Sequence, residues 1–395
     1  MSQRPIVRSA DLRRLRADGY TLSVVGGNLV VGDVPYVDEA GKVHPDGALI
    51  MPLTLSGETA EPPPDHTASF VGGVPCDAEG RALHKIINNT NRRELGSGLV
   101  ASCYFSAKPQ NSAKRYEDFY EKVTTYAALV SGPAQLLDPD ATPRRHRPIA
   151  ADSDDDAFQY VDTASSRAGI DAINERLRGQ RVAIVGLGGT GGYILDLVAK
   201  TPVEEIHLFD GDRFLTHNAF RAPGAATLDQ LEAAPYKVDY FAAMYAGMHR
   251  GLRPHPHHLD EAKVGQLDGL DFVFVSIDDG EAKKTIIEAL ESFGASFIDV
   301  GLGIEAIDGS LTGIVRTTTS VPQQRDHVRA RVSLGDADVA ADYRSNIQIA
   351  ELNSLNAALA VIKWKKLNGI YADLEHEHHS TYAIDGNHIV NDERR

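Results

Sequence analysis

The fold of this chain is decided by the stretch Val182-Ala183-Ile184-Val185-Gly186-Leu187-Gly188-Gly189-Thr190-Gly191-Gly192. Its first four residues are consecutive apolar side chains, which is typical of a parallel strand buried on both faces. The glycines that follow satisfy G-x-G-x-x-G, with Gly186, Gly188 and Gly191 at the motif positions and Gly189 between them. They allow a tight turn and let a phosphate approach the positive end of the helix predicted at 193–200. The stretch therefore predicts a nucleotide-binding strand–turn–helix unit.

The alternation of strands and helices continues beyond this unit. Strands are predicted at 205–209, 272–277 and 296–300, with a further β segment at 311–317. Helices are predicted at 234–245 and 281–291, and residues 345–367 predict a long helix with apolar faces throughout. This order predicts an α/β fold with a doubly wound, Rossmann-like sheet. Asp210 ends the second strand, where a carboxylate can accept the ribose hydroxyls of a nucleotide.

The chain before this region predicts a smaller α+β N-terminal domain, residues 1–137. It combines short strands at 20–25, 29–34, 48–55 and 99–105 with helices at 11–18 and 115–130, the latter carrying an aromatic face for core packing. Residues 138–160 contain structure-breaking prolines and clusters of like charge, which predict a linker. Residues 161–395 would then form the nucleotide-binding domain.

Composition excludes several classes of protein. The 395 residues carry 55 acidic and 40 basic side chains, a net charge of −15, which disfavours binding to nucleic acid or to an anionic membrane. Two cysteines, Cys76 and Cys103, are too few for a disulfide scaffold or a Cys-rich zinc module. No apolar run is long enough to span a membrane, and the N-terminus does not have the apolar core of a signal peptide. We therefore expect a cytoplasmic location.

Residues 210–221, Asp-Gly-Asp-Arg-Phe-Leu-Thr-His-Asn-Ala-Phe-Arg, carry a more specific signal. They resemble the D-x-D-x-V-x-x-x-N-x-x-R stretch of the ThiF/MoeB/ubiquitin-activating superfamily, with Asp210, Asp212, Asn218 and Arg221 at the motif positions. Members of that superfamily adenylate the C-terminal glycine of ubiquitin-like or sulfur-carrier proteins. The resemblance covers about residues 181–316, and helix 347–365 is similar to the late helix of the superfamily.

Two further residues match the superfamily in order. Lys237 stands where the family has a lysine, and Asp278 ends a strand where the family has its magnesium-associated aspartate. The resemblance implies ATP and Mg²⁺ as cofactors, with Asp278 holding the metal and Arg221 and Lys237 neutralising phosphate oxygens. Taken alone, Lys237 could be a solvated surface lysine, and Asp278 could be the N-cap of the following helix.

The resemblance also implies partners. These are a ubiquitin-like protein with a C-terminal glycine, a conjugating-enzyme-like protein and a second copy of the chain in a homodimer. The N-terminal domain resembles the leader domain of some bacterial activating-enzyme-like proteins. Arg167, ahead of the core, could reach a nucleotide phosphate across a dimer, or it could be solvated. No Cys-x-x-Cys pair is present, so no structural zinc is expected.

A departure from the family concerns the thiol that receives the activated glycine. The ubiquitin-activating branch carries a catalytic cysteine after the adenylation core, but residues 301–395 contain no cysteine. The activated partner could therefore pass directly to a conjugating protein, or it could be caught by Cys76 or Cys103. Cys103 lies in a strand-like run that predicts burial, and Cys76 lies in a predicted polar turn.

Two alternative functions stay open at this point. An NAD-dependent oxidoreductase would also use the glycine motif and Asp210, but it would not need Asn218, Arg221 and Lys237. An inactive nucleotide-binding scaffold is the other alternative, although all the charged site residues are present. The histidine-rich segment 375–379 is interpreted as solvated rather than metal-binding.

Overall fold

The structure is a computed structural model and describes residues 4–111, 113–151, 156–334 and 347–394. It divides into two compact units. The first takes in the chain up to residue 151 together with Tyr160–Ile170. The second takes in Asp156–Gln159 and the chain from Asp171 onward.

The first unit is rich in strands and has few helices. Its elements, in chain order, are α1 (Arg4–Arg8), α2 (Ala10–Ala17), β1 (Thr21–Val25), β2 (Asn28–Val37), β3 (Val43–Pro52), β4 (Leu55–Ser56), β5 (Thr59–Ala60), β6 (Thr67–Val71), β7 (Ile87–Asn89), β8 (Arg93–Gly96), β9 (Leu99–Ala101), β10 (Cys103–Ser106), α3 (Phe119–Leu137) and α4 (Thr163–Ala168).

An antiparallel sheet with the order β1-β2-β3-β6-β10-β7 forms the centre of this unit. Helix α3 packs against it with an aromatic face, as the sequence predicts: Phe119, Val123 and Tyr126 are buried with Phe70 and Phe105 of the sheet. The N-terminal domain is therefore an α+β unit with its own core.

The second unit contains the predicted α/β sheet. Its elements are α5 (Asp171–Asn174), β11 (Arg181–Val185), α6 (Gly189–Val198), β12 (Glu205–Phe209), α7 (Thr216–Ala219), α8 (Leu228–Ala233), α9 (Lys237–Tyr245), β13 (Leu252–His255), β14 (Phe272–Val275), α10 (Gly280–Phe293), β15 (Ser296–Ile307), β16 (Ser310–Ser320), α11 (Val328–Arg331), α12 (Ala350–Leu367), β17 (His379–Ala383) and β18 (His388–Asp392).

The strand order is β13-β12-β11-β14-β15-β16-β17-β18. The first five strands run parallel, and β16, β17 and β18 continue the sheet antiparallel. After β11 the chain moves first towards β12 and β13, and later crosses to β14 on the other side. The point where the order reverses is therefore at the carboxyl end of β11, which is where doubly wound sheets bind their ligands.

Both faces of the central strands β11 and β14 are buried, which confirms the doubly wound fold. Val182 and Ile184 point into a core shared with α6, α9 and α12. Ala183 and Val185 point into a second core, which they share with α10. Consecutive residues of β11 thus pack on opposite faces, and this explains its uninterrupted apolar sequence.

The structure corrects the predicted elements in several places. Helix α6 begins at Gly189 rather than at residue 193, so the later glycines form its first turn. Strands β15 and β16 extend well beyond the predicted segments as a long antiparallel pair, and β13, β17 and β18 were not predicted. These strands are half-exposed or carry polar residues, so they have no continuous apolar run. The long helix begins at Ala350, and residues 345 and 346 of its prediction lie outside the described residues.

The segment 375–379 was predicted to be solvated, and this is wrong for its second half. Glu377, His378 and His379 are buried. The Glu377 carboxylate lies 2.8 Å from Nζ of Lys366, and this ammonium group compensates the buried negative charge. Sequence composition suggested exposure, but the antiparallel extension of the sheet covers this segment. Within the described ranges, none of the helices combines the length and apolarity needed to span a membrane.

Candidate functional site

The glycine turn between β11 and α6 lies at the switch point of the sheet. Gly186 has a φ of +87°, and a Cβ at this position would overlap the carbonyl oxygen of Ser276 after β14. Gly188 is the N-cap of α6 and contributes no capping side chain, and the space beside its Cα is open. The first turn of α6 thus presents backbone N–H groups and the positive end of the helix dipole to this space.

A buried carboxylate holds this turn. Asp210 follows β12, as predicted, and is 7% exposed. Its Oδ2 accepts a hydrogen bond of 2.7 Å from the backbone N–H of Leu187, and its Oδ1 accepts one of 2.8 Å from the N–H of Asp212. Asp210 therefore ties the end of β12 to the glycine turn.

Lys237, at the start of α9, is buried beside the same carboxylate. Its Nζ lies 2.7 Å from Oδ2 of Asp212 and 3.4 Å from Oδ2 of Asp210. The hydrogen bond from Lys237 is the main cause that holds the pKa of Asp212 below its usual range. Lys237 is thus not a solvated surface lysine but the cation of an Asp–Lys–Asp cluster next to the glycine turn.

Asn218 and Arg221 lie on and after the short helix α7. The amide oxygen of Asn218 accepts a 2.9 Å hydrogen bond from the N–H of Leu215. The Asn218 Nδ2 and the Arg221 Nε are buried, and neither has a hydrogen-bond partner in the described part of the chain. Buried donors without acceptors are costly, and an anionic or polar ligand at this place would give both of them an acceptor.

Asp278 follows β14 at the same edge of the sheet and is exposed. The next residue, Asp279, is the N-cap of α10, because its carboxylate accepts hydrogen bonds of 3.1 Å from the N–H groups of Glu281 and Ala282. The alternative that Asp278 caps this helix is therefore wrong. The structure assigns capping to its neighbour, and the role of Asp278 as a metal ligand stays a prediction.

The carboxyl edge of the parallel strands thus brings together residues that are far apart in the sequence. Four parts of the site follow strands or helices that end or begin at this edge. They are the glycine turn, the Asp210–Lys237 pair, the Asn218–Arg221 segment and the loop that carries Asp278. Arg167 lies on α4, which belongs to the first unit, and its proposed contact with a phosphate stays a prediction.

Both cysteines are buried in the first unit. Cys103 lies in β10 as predicted. Cys76 was placed in a polar turn, but it is 1% exposed and its N–H donates to the carbonyl oxygen of Val37. Burial is the main cause that raises the pKa of both thiols, and the charges of Glu39 and Asp38 add to it at Cys76. Neither side chain has the exposed, electropositive surroundings that activate a thiolate.

The parallel strand order β13-β12-β11-β14-β15, with a glycine turn at the switch point and an acid after β12, defines the second unit as a Rossmann-type domain. Residues 163–351 match the ThiF family, and this part of the chain is a ThiF family domain. Residues 10–163 match a second family, described as a domain of unknown function (DUF6791). The boundary between the two matches falls at residue 163.

Curated relatives include the ubiquitin-like modifier-activating enzyme 5 of several animals. The protein from Culex quinquefasciatus is 26% identical over 159 residues, 38% of this chain and 40% of its own length. The protein from Branchiostoma floridae is 28% identical over 159 residues, 38% of this chain and 39% of its own length. This chain therefore spans about two fifths of the length of these relatives.

Solved structures to which this chain is similar include PaaA and the MccB of E. coli. MccB in complex with N-formylated MccA, described as a Microcin C7 biosynthetic enzyme, superposes with a TM-score of 0.47 at 15% identity and covers 58% of this chain and 70% of its own. PaaA superposes with a TM-score of 0.45 at 16% identity and covers 58% of this chain and 79% of its own.

Proposed function

We propose that this chain uses ATP and Mg²⁺ to adenylate the C-terminal glycine of a ubiquitin-like protein and activates that protein for transfer to a conjugating partner. The ThiF family domain and the similarity to ubiquitin-like modifier-activating enzyme 5 support an adenylating activity. The choice of a ubiquitin-like substrate rests on that similarity and on the site residues Asp210, Asn218, Arg221 and Lys237. The same resemblance leads us to expect that a homodimer is the working form.

The observation that carries the proposal is the pair of buried donors beside the glycine turn. Nδ2 of Asn218 and Nε of Arg221 have no acceptor among the described residues. Phosphate oxygens are strong acceptors, and a guanidinium binds them in a fork-like geometry. An ATP phosphate chain seated on the first turn of α6 would supply the acceptors that both side chains require.

The chemistry needs positioning and charge neutralisation more than covalent catalysis. A carboxylate oxygen of the terminal glycine attacks the α-phosphorus, the bond from the α-phosphorus to the bridging oxygen breaks, and pyrophosphate leaves with that electron pair. Arg221 and Lys237 would neutralise the phosphate oxygens so that the anionic carboxylate can approach. Asn218 would orient one oxygen without adding charge, and Asp210 would accept ribose hydroxyls.

Asp278 is suited to hold Mg²⁺. It is an exposed carboxylate at the carboxyl edge of the sheet, and Mg²⁺ is commonly bound through one or two carboxylates together with substrate phosphates and waters. When bound, the ion neutralises phosphate charge and orients the leaving group. A single carboxylate at this position is therefore sufficient for a metal shared with the nucleotide.

Transfer after adenylation is proposed to run directly to a separate conjugating protein. Cys76 and Cys103 are the two possible thiol carriers within this chain, but both are buried and have raised pKa values. A thiol of this kind is a weak nucleophile near neutral pH, because the thiolate is the reactive form. Direct transfer needs neither residue.

Nucleotide choice is the first expected result. Calorimetry should show binding of ATP with Mg²⁺ and no binding of NAD, because the basic groups at the glycine turn suit a triphosphate. With a ubiquitin-like protein from a neighbouring gene, the chain should exchange pyrophosphate into ATP, and removal of the terminal glycine of that protein should abolish the exchange. Tight NAD binding without an ATP signal would favour the oxidoreductase. ATP binding without exchange would favour the inactive scaffold.

Asp278 and Asp279 form a matched pair for testing the metal site. Asp278→Ala should lower pyrophosphate exchange by about 10²-fold or more, the scale of removing one preorganised electrostatic group, and should raise the Mg²⁺ concentration needed for half-maximal exchange. Asp279→Ala should instead lower the free energy of unfolding by about 0.5–2 kcal/mol through loss of the α10 cap, with little change in the Mg²⁺ requirement. An unchanged Mg²⁺ titration in Asp278→Ala would remove Asp278 from the metal site.

A further inference from the structure

A buried asparagine on α12 connects two parts of the site that the sequence does not link. Asn353 is 0% exposed. Its Oδ1 accepts a 3.0 Å hydrogen bond from the hydroxyl of Thr190 in the first turn of α6. Its Nδ2 donates a 3.1 Å hydrogen bond to the backbone carbonyl oxygen of Arg221. One side chain therefore bonds both the glycine-rich helix and the segment that carries the phosphate-binding arginine.

The close fit of this amide depends on a glycine. A Cβ at Gly189 would overlap Nδ2 and Cγ of Asn353. The α12 side chain thus occupies the volume that any other residue at position 189 would fill. Gly189 therefore has two uses: it allows α12 to approach α6 closely, and it leaves the backbone open, as a phosphate requires.

The Arg221 backbone itself makes two hydrogen bonds. Its N–H donates a 3.1 Å hydrogen bond to the carbonyl oxygen of Asn218, and its carbonyl oxygen accepts the bond from Asn353. The preceding side chain, Phe220, is 82% exposed, whereas the following residue, Ala222, is buried in the core and anchors the segment on that side. The amide of Asn353 therefore fixes the Arg221 carbonyl relative to the first turn of α6 at the point where the chain passes from an exposed residue to a buried one.

We propose that Asn353 is a positioning residue for adenylation: it fixes Arg221 relative to the glycine turn, so that both meet the same phosphate chain. This inference rests on the proposed function and adds to it a residue that lies just beyond the family match, which ends at residue 351. Asn353 touches no reacting atom and acts through Arg221 and Thr190.

The same helix supplies a matched control. Asn356 is also 0% exposed, donates a 3.1 Å hydrogen bond to the carbonyl oxygen of Gly301 and accepts one of 3.3 Å from the hydroxyl of Thr317. Asn353 and Asn356 thus make the same two kinds of bond, one to a backbone carbonyl and one to a threonine. Only Asn353 makes them to the proposed phosphate site, because Asn356 bonds the β15–β16 pair.

The experiment compares Asn353→Ala and Asn356→Ala in the full chain. Thermal unfolding should show similar decreases in Tm, because each variant loses equivalent buried bonds. Pyrophosphate exchange should separate them: kcat/KM for ATP should fall about 10²-fold in Asn353→Ala, the scale expected when a catalytic group is misplaced by about 1 Å. It should change less than threefold in Asn356→Ala.

A double variant tests whether Asn353 acts through Arg221. In an Arg221→Ala background, Asn353→Ala should lower exchange by only a few fold more, because residues that act as a unit are not additive. Asn353→Asp should resemble Asn353→Ala, since its carboxylate cannot donate to the Arg221 carbonyl. Parallel losses in the Asn353 and Asn356 variants, or fully additive losses in the double variant, would overturn the proposal. A wild-type chain that binds ATP without exchange would refute the proposed function instead, and ATP affinity would then be compared between the two alanine variants.

Discussion

Arg221→Ala is expected to lower pyrophosphate exchange by about 10²–10³-fold while leaving the free energy of unfolding within about 0.5 kcal/mol of the wild type. The reason is that the Arg221 Nε has no hydrogen-bond partner among the described residues, so the side chain contributes little to the fold. Its favourable interactions would form only with phosphate oxygens. Exchange assays and urea unfolding of the same preparation would measure the two quantities.

Arg213→Ala is the control for this prediction. Arg213 belongs to the same segment, is exposed, donates to the carbonyl oxygen of Ala234 and lies 4.4 Å from the ring centroid of Tyr236. Arg213→Ala should lower the free energy of unfolding slightly and should change pyrophosphate exchange very little. Arg221→Lys should fall between the wild type and Arg221→Ala, because lysine keeps the charge but not the fork-like donor geometry. Wild-type exchange in Arg221→Ala would remove this residue from the site.

Lys237→Met is expected to lower both exchange and stability, unlike Arg221→Ala. The substitution leaves the buried Asp210 carboxylate without its cation, and breaking a buried ion pair in this way costs about 3–5 kcal/mol. We expect the lower end of this range, because Asp210 keeps its hydrogen bonds from the N–H groups of Leu187 and Asp212. Exchange should fall by about 10²-fold or more through loss of the phosphate-neutralising charge.

Two comparisons separate these effects. Lys200→Met removes a surface lysine that is half exposed and paired with Asp196, so it should cost less than about 1 kcal/mol and leave exchange unchanged. Adding Asp210→Asn to Lys237→Met should recover much of the lost stability, since the uncompensated charge disappears, but it should not restore exchange. Normal exchange in a destabilised Lys237→Met variant would show that Lys237 only supports the glycine turn.

Four of the five parallel strands of the second unit could be predicted from the sequence, because they contain short, largely apolar runs, whereas β13 carries arginine, proline and histidine and could not. β11, β12 and β14 and the helices α9 and α10 lie within a few residues of their predicted positions. The antiparallel extension could not be predicted in the same way. β17 and β18 carry half-exposed and polar residues, and their pairing is with strands distant in the sequence.

The site residues could be proposed from their order along the chain, but their contacts could not. The sequence left open whether Lys237 is solvated and whether Asp278 caps a helix. Burial of Lys237 between two carboxylates depends on how α9 meets the sheet, whereas capping by Asp279 depends on the residue at which α10 begins. Asn353 carried no signal that sequence reasoning could use, because a polar residue in a helix gives no indication of its partners, and Asn356 of the same helix looks alike in the sequence.

By itself, the sequence determined the class of sheet, the place of the glycine turn and the set of charged groups available to a nucleotide. These properties are local, since an apolar run, a glycine pattern and the residue that follows a strand are read from neighbouring positions. Only the tertiary structure decided which donors are left without acceptors, which cysteines are buried and which side chain joins α6 to Arg221. Those properties depend on contacts between segments that are distant in the sequence, by 163 and 132 residues for the two bonds of Asn353, and packing sets them rather than local preference.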